Sequence, residues 1–218
     1  MVTTSTMLAD LGPRAQLHAG RLPRRLSQLL AGLGLYGVSM AMIIRGGLGL
    51  DPWDVLHYGL TNHLPLSFGA VVTIVSFVVL LAWIPLRQAP GLGTIANVLI
   101  IGVTSDATLT VLAGPSELWL RAVLLVLGIV LNGLASAMYI GAQLGPGPRD
   151  GLMTGISLRS GLSIRLVRTV QEVTVVGIGF ALGGPVGIGT VLYALSIGFL
   201  VQRFLPLLVV HLDPPRQR

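Results

Sequence analysis

The feature that most constrains this chain is a succession of apolar runs long enough to cross a lipid bilayer. They cover about 26–44, 67–86, 92–112, 118–144, 163–182 and 187–212, separated by glycine, proline and arginine. A helix needs about 20 residues to span the hydrocarbon core, and each run meets that length. Only 10% of the 218 residues are charged, against about 25% in a soluble domain. A water-soluble globule of this size has too little charge here to clothe its surface, and the mean hydropathy of +0.83 agrees. Lipid is the solvent that suits the chain, so the expected fold is an all-α polytopic membrane protein with about six transmembrane helices.

Charge and residue types narrow the chemistry. All 14 basic residues are arginines, and the net charge is +6. They fall in short segments between the apolar runs rather than in a basic stripe alternating with aromatics, so nucleic acid is not an expected partner. Cysteine is absent, which excludes disulfides, thiolate metal sites and cysteine nucleophiles. His18, His57, His63 and His211 are scattered without metal-ligand spacing, so no metal or cofactor is expected. No serine–histidine–aspartate order and no paired catalytic carboxylates stand out, and an enzyme is not expected. Residues 1–25, with Arg14, Arg21, Arg24 and Arg25, read as a cytoplasmic leader. They lack an apolar stretch followed by a small-residue cleavage site, so the first run should stay as an anchor. Residues 213–218 read as a cytoplasmic tail.

Two stretches, 51–60 and 148–156, are too short to cross yet carry helix-start chemistry. Pro52 and Pro148 suit the first helical position, where no amide hydrogen is needed. Asp51 can cap the first helix. Asp54 and Asp150 fall two residues after the prolines, where a carboxylate meets free amides and the positive end of the helix dipole. Gly46, Gly47, Gly49, Gly145 and Gly147 supply the turns before them. Both stretches are expected to be half-helices entered through glycine-rich turns.

These two stretches match each other at a constant offset of 96 residues. Pro52 falls on Pro148, Asp54 on Asp150, Gly59 on Gly155, and Gly49 on Gly145. The same offset carries Ser67 onto Ser163, Thr94 onto Thr190, and Gly102 onto Gly198. Shared leucines would mean little in membrane helices, but matched prolines, aspartates and turn glycines point to duplication. The expected units are 26–113 and 118–212, each containing three spans and one half-helix. An odd number of spans turns the second copy upside down, giving an inverted repeat. Arginine placement tests this. With the N-terminus inside, the cytoplasmic side collects Arg14, Arg21, Arg24, Arg25, Arg87, Arg149, Arg159, Arg165, Arg168, Arg216 and Arg218, while the outside receives Arg45 and Arg121. Crossing half-helices would move Arg87 outside and split the 149–168 cluster, so the inverted layout satisfies the positive-inside rule better.

Gly46-Gly47-Leu48-Gly49 followed by Asp51-Pro52-Trp53-Asp54-Val55-Leu56, and the later Pro90-Gly91-Leu92-Gly93-Thr94 with Asn97, resemble the signature of the YczE/YitT-type bacterial integral membrane protein family. The resemblance covers roughly 28–206. The second half is looser, with Arg149 where the first half has Trp53 and Gly147 where it has Asp51. The resemblance implies a multi-pass protein of the bacterial plasma membrane, with both termini cytoplasmic in the layout above. It supplies no activity or substrate class.

Charge at membrane depth is expensive and needs a reason. Asp106, Glu172 and Arg203 lie inside apolar runs. Either Asp106 or Glu172 binds a cation or proton in a central polar site, or the charges form internal pairs, such as Glu172 with Arg203 or Arg168. Asp54 and Asp150 either cap their helices or shape a site where the two half-helices approach the midplane. Asn97 and Asn132 suit interhelical hydrogen bonds. Trp53, Tyr58, Trp83 and Trp119 suit the membrane interface, and His57 and His63 the solvated outer side. The expected function is a small secondary transporter or permease for a small molecule or ion. The alternative is a scaffold or accessory factor assisting another protein or a lipid-linked pathway. A homodimer is compatible with a chain this small.

Overall fold

The structure, a computed structural model, describes residues 8–9 and 11–212. The expected tail and most of the first ten leader residues lie outside them. The described residues form nine helices and no strand: α1 Pro13–His18, α2 Leu22–Gly46, α3 Pro52–Thr61, α4 Phe68–Leu86, α5 Leu92–Val111, α6 Leu118–Gly141, α7 Pro148–Ser160, α8 Ile164–Ala181 and α9 Ile188–Leu208. Five of them, α2, α4, α5, α6 and α9, are long and apolar enough to cross a membrane. The remaining expected span is α8, whose 18 residues carry Arg165, Arg168 and Glu172, so length and composition alone support five spans. Large apolar side chains cover the outer faces, including Phe77, Leu81, Val103, Leu195 and Phe199. Such a surface suits lipid rather than water.

The leader reading needs a correction. Helix α2 starts at Leu22, with proline in its first turn, so Arg24 and Arg25 belong to the first long helix rather than to the leader. Arg25 is fully buried. Its Nε donates to Ala142 O at 2.8 Å and its Nη2 to Gln143 O at 2.6 Å. Arg121 does the same at the other end of the fold, Nε to Gly46 O at 2.8 Å and Nη2 to Gly47 O at 2.6 Å. Each arginine fork thus satisfies carbonyls orphaned where α6 or α2 ends.

Packing interleaves the chain. Helices α2 and α6 form the central pair; α5 packs on α2 and α9 on α6. The short helix α3 packs on α8, while the short helix α7 packs on α4. The loops that introduce the short helices dock on the starts of α9 and α5. Gly189 N donates to Leu48 O at 2.8 Å, and Gly93 N to Leu144 O at 2.6 Å. The approach is close enough to require glycine. Gly49 has φ +112° and a Cβ there would lie 2.7 Å from Gly187 N; Gly145 has φ +119° and a Cβ would lie 2.9 Å from Gly91 Cα. Both positive φ values are costly for any residue with a Cβ.

One pairing is uneven. Helix α4 packs along α5, but α8 and α9 barely touch. At the α4–α5 contact, a Cβ on Gly102 would run into the Gly69 carbonyl, whereas Gly198 on α9 faces open space.

Candidate functional site

A cavity of about 640 Å³ reaches the gap between α8 and α9, with Arg168 and Glu172 of α8 and Ile197 and Gly198 of α9 in its lining. The short helices supply its polar wall. Pro52 and Pro148 start α3 and α7 with nearly superposable backbone geometry, φ −63° and ψ 160° at Asp51 and φ −63° and ψ 159° at Gly147. Asp51 Oδ1 caps α3, accepting from Trp53 N at 2.9 Å and Asp54 N at 3.0 Å. Gly147 offers no side chain to α7.

Three charged groups meet here. Arg149, from the first turn of α7, lies across the start of α3, with Nη1 3.8 Å from Asp51 Oδ1 and Nη2 3.9 Å from Asp54 Oδ1. Its guanidinium sits 5.0 Å from the centroid of the Trp53 ring, within cation–π range. Asp54 Oδ1 also lies 3.0 Å from His57 Nδ1, which donates in its Nδ1–H tautomer. Asp51 and Asp54 are at most 1% exposed, yet the Oδ2 atom of each finds no donor. A buried carboxylate oxygen without a donor is costly.

Tyrosines complete the wall. Tyr139 OH donates to Asp150 Oδ2 at 2.8 Å, and its ring meets Tyr36 edge-on at 6.3 Å. Tyr193 OH donates to Asn132 Oδ1 at 2.8 Å, and Asn132 Nδ2 donates to Ser39 Oγ at 2.9 Å. Near the mouth, Arg168 Nε donates to Glu172 Oε1 at 2.8 Å. The arrangement is a vestibule lined by aromatic rings and fixed charges, with carboxylate acceptors left over at its inner end.

Comparison with known proteins agrees on the kind of molecule. DUF6198, described as a family of unknown function, matches residues 23–206. The chain belongs to the DUF6198 family. An uncharacterized protein of Haemophilus influenzae is 42% identical over 182 residues, 84% of each chain. The uncharacterized membrane protein YczE of Bacillus subtilis is 34% identical, covering 81% of this chain and 83% of that one. YyaS of the same organism, also uncharacterized, is 28% identical over 83% and 92% of the two chains. No solved structure matches. The family resemblance read from the glycine and Asp-Pro-Trp-Asp motifs therefore holds, and this DUF6198 member is a multi-pass integral membrane protein.

Within the family fold, the residues singled out from the sequence separate into two groups. Asp150, Glu172 and Asn97 line the cavity with Pro52, Gly147 and Pro148, and Asp54 stands directly behind Asp51. Gly46, Gly47, Gly49 and Gly145 lie in or beside the docking loops. Asp106 lies elsewhere. It accepts from Gly69 N at 2.7 Å and from Ser67 Oγ, so it caps α4. Arg203 is exposed on α9 away from the cavity wall. Of the pairings weighed for Glu172, Arg168 is the one made.

Four sequence readings are corrected. Arg149 belongs at the inner site, not in a cytoplasmic cluster, because α7 carries it into the fold. His57 is 1% exposed rather than solvated, since α3 is sandwiched between α4 and α8. Trp53 and Trp83 are buried rather than interfacial; Trp83 Nε1 donates to Pro148 O at 3.0 Å and so holds the start of α7. Trp119 is exposed. Tyr36, Tyr139 and Tyr193 escaped notice as site residues. The signal was present for two of them: at the offset of 96, Tyr36 falls on Asn132 and Asn97 on Tyr193, polar residues matched within spans.

Proposed function

We propose that this protein is a small secondary transporter of the bacterial plasma membrane, built as an inverted repeat. In this reading α2–α5 and α6–α9 are the two units, α3 and α7 are re-entrant, and α8 is the sixth span. The apolar face that α8 exposes, with Val170, Val173 and Phe180, supports its lying in lipid. The paired docking loops and the paired arginine forks support the duplication. Both termini are cytoplasmic, and the arginine bias survives the removal of Arg149 from it.

The observation that carries the transport reading is a cavity flanked by a packed α4–α5 pair and a parted α8–α9 pair. Its inner end holds Asp51, Asp54 and Arg149 at the joint of the two units. The α4–α5 side is sealed by glycine packing and by Asp106, while the equivalent α8–α9 side is parted. An inverted repeat with one such pairing closed and its counterpart open is half of an alternating-access cycle; exchanging the two conformations gives the other half. In this orientation the cavity faces the cytoplasm.

Flux tests the reading. Purified protein in liposomes should accumulate or release a solute found by thermal-stability screening, since a ligand that binds the folded state stabilises it by about 2.7 kcal/mol at one hundred times its dissociation constant. Stabilisation by lipids alone, with no flux of any soluble candidate, would sink the transporter reading in favour of an accessory factor.

A further inference from the structure

We infer that the inner site takes a monovalent organic cation, an amine or a guanidine, which seats between Asp51 and Asp54 against Trp53 in place of the Arg149 guanidinium. This rests on the transporter reading and names its substrate class.

Charge balance comes first. Arg168 and Glu172 neutralise each other at the mouth. Deeper in, among the described residues, Arg149 is the cation within 4 Å of both Asp51 and Asp54. Asp150 is engaged by Tyr139, which leaves the Asp51–Asp54 pair in excess of its partner. An incoming anion would meet this surplus negative charge in a partly dehydrated site, where like charges repel strongly.

The second observation is the unfilled acceptors. Asp51 lines the cavity and is 1% exposed, and its Oδ2 finds no donor; Asp54, buried behind Asp51 and outside the cavity lining, also has an Oδ2 without a donor. Arg149 reaches only the Oδ1 atoms, at 3.8 and 3.9 Å, well beyond the 2.7–2.9 Å or so of a charge-assisted hydrogen bond. Two acceptors without donors call for a group that brings N–H bonds and positive charge together.

Arg149 also displays the chemistry that fits. Its own guanidinium rests on an aromatic ring beside two carboxylates, held loosely and 26% exposed. The side chain is long and rotatable, so it can swing into the 640 Å³ cavity and yield its place. Tyr36, Tyr139 and Tyr193 offer further rings for the apolar part of such a ligand.

Equilibrium binding to the detergent-purified full chain tests this with four probes of similar size: phenethylamine and phenylguanidine as cations, 2-phenylethanol as the neutral control and phenylacetate as the anion. The cations should bind at least ten times more tightly than the other two. Asp51→Asn and Asp54→Asn should each weaken the cations at least tenfold, while Glu117→Gln, at the exposed start of α6, leaves binding unchanged. Arg149→Gln should lose thermal stability, bind phenylguanidine several times more tightly than the native chain, and regain stability when it is added. Preference for phenylacetate, or loss of cation binding in Arg149→Gln, overturns the inference; the selectivity of the native chain decides the matter if the carboxamide variants do not fold. Cation binding without flux in liposomes defeats the transporter reading and leaves the ligand class standing. Flux of a neutral or anionic solute does the reverse.

Discussion

Arg25 and Arg121 do the same work at opposite ends of the fold. Each guanidinium bonds two carbonyls at the end of a long helix, and neither has a carboxylate partner in that contact. Hydrogen bonds to charged groups are worth about 1.5–3 kcal/mol each. Arg25→Ala and Arg121→Ala should therefore each lower stability by roughly 2–3 kcal/mol, read as the thermal unfolding midpoint in detergent. Lysine should rescue only partly, because an ammonium cannot reproduce the planar fork. Trp83→Phe probes a subtler contact. It keeps most of the packing but loses the bond to Pro148 O, and should cost about 1 kcal/mol while loosening the seat of Arg149.

Among elements, the short helices and the loops that aim them matter most. Gly49→Ala and Gly145→Ala each force a Cβ into left-handed backbone and against the neighbouring glycine, at a cost of at least about 1–2 kcal/mol. Both variants should unfold at lower temperature. If either matches the native midpoint, the loop is free to move and does not fix its helix. The α4–α5 and α8–α9 contacts make a sharper pair. Gly102→Leu should be poorly folded, because Gly69 already occupies that space. Gly198→Leu should fold normally, since Gly198 faces the gap, yet it should abolish flux by preventing α8 and α9 from closing. A Gly198→Leu protein with native flux would argue against closure on that side.

At the scale of the molecule, the inverted layout has a direct test. The chain has no cysteine, so single cysteines report cleanly. Arg87→Cys should react with a membrane-impermeant thiol reagent only after cells are opened, and Gly114→Cys should react in intact cells. The reversed pattern would mean that α3 crosses the membrane or that the N-terminus lies outside, and either outcome overturns the layout given above.

Much of this architecture was legible in the sequence because its causes are local or periodic. Bilayer thickness sets the length of an apolar run, so five of the six expected spans emerge as apolar helices with ends within about four residues of expectation. Proline and aspartate fix where α3 and α7 begin, since only a free helix start tolerates the one and rewards the other. A residue offset shared by turn glycines required no structure at all. Tertiary packing decided what these local signals cannot carry. Arg149 counts as one more cytoplasmic arginine until α7 is folded inward, and His57 looks solvated until α4 and α8 close over α3. Asp106 resembles a buried functional charge until Gly69 is seen donating to it. Burial and charge pairing are relations between segments distant along the chain, so they came into being only when the two halves interleaved.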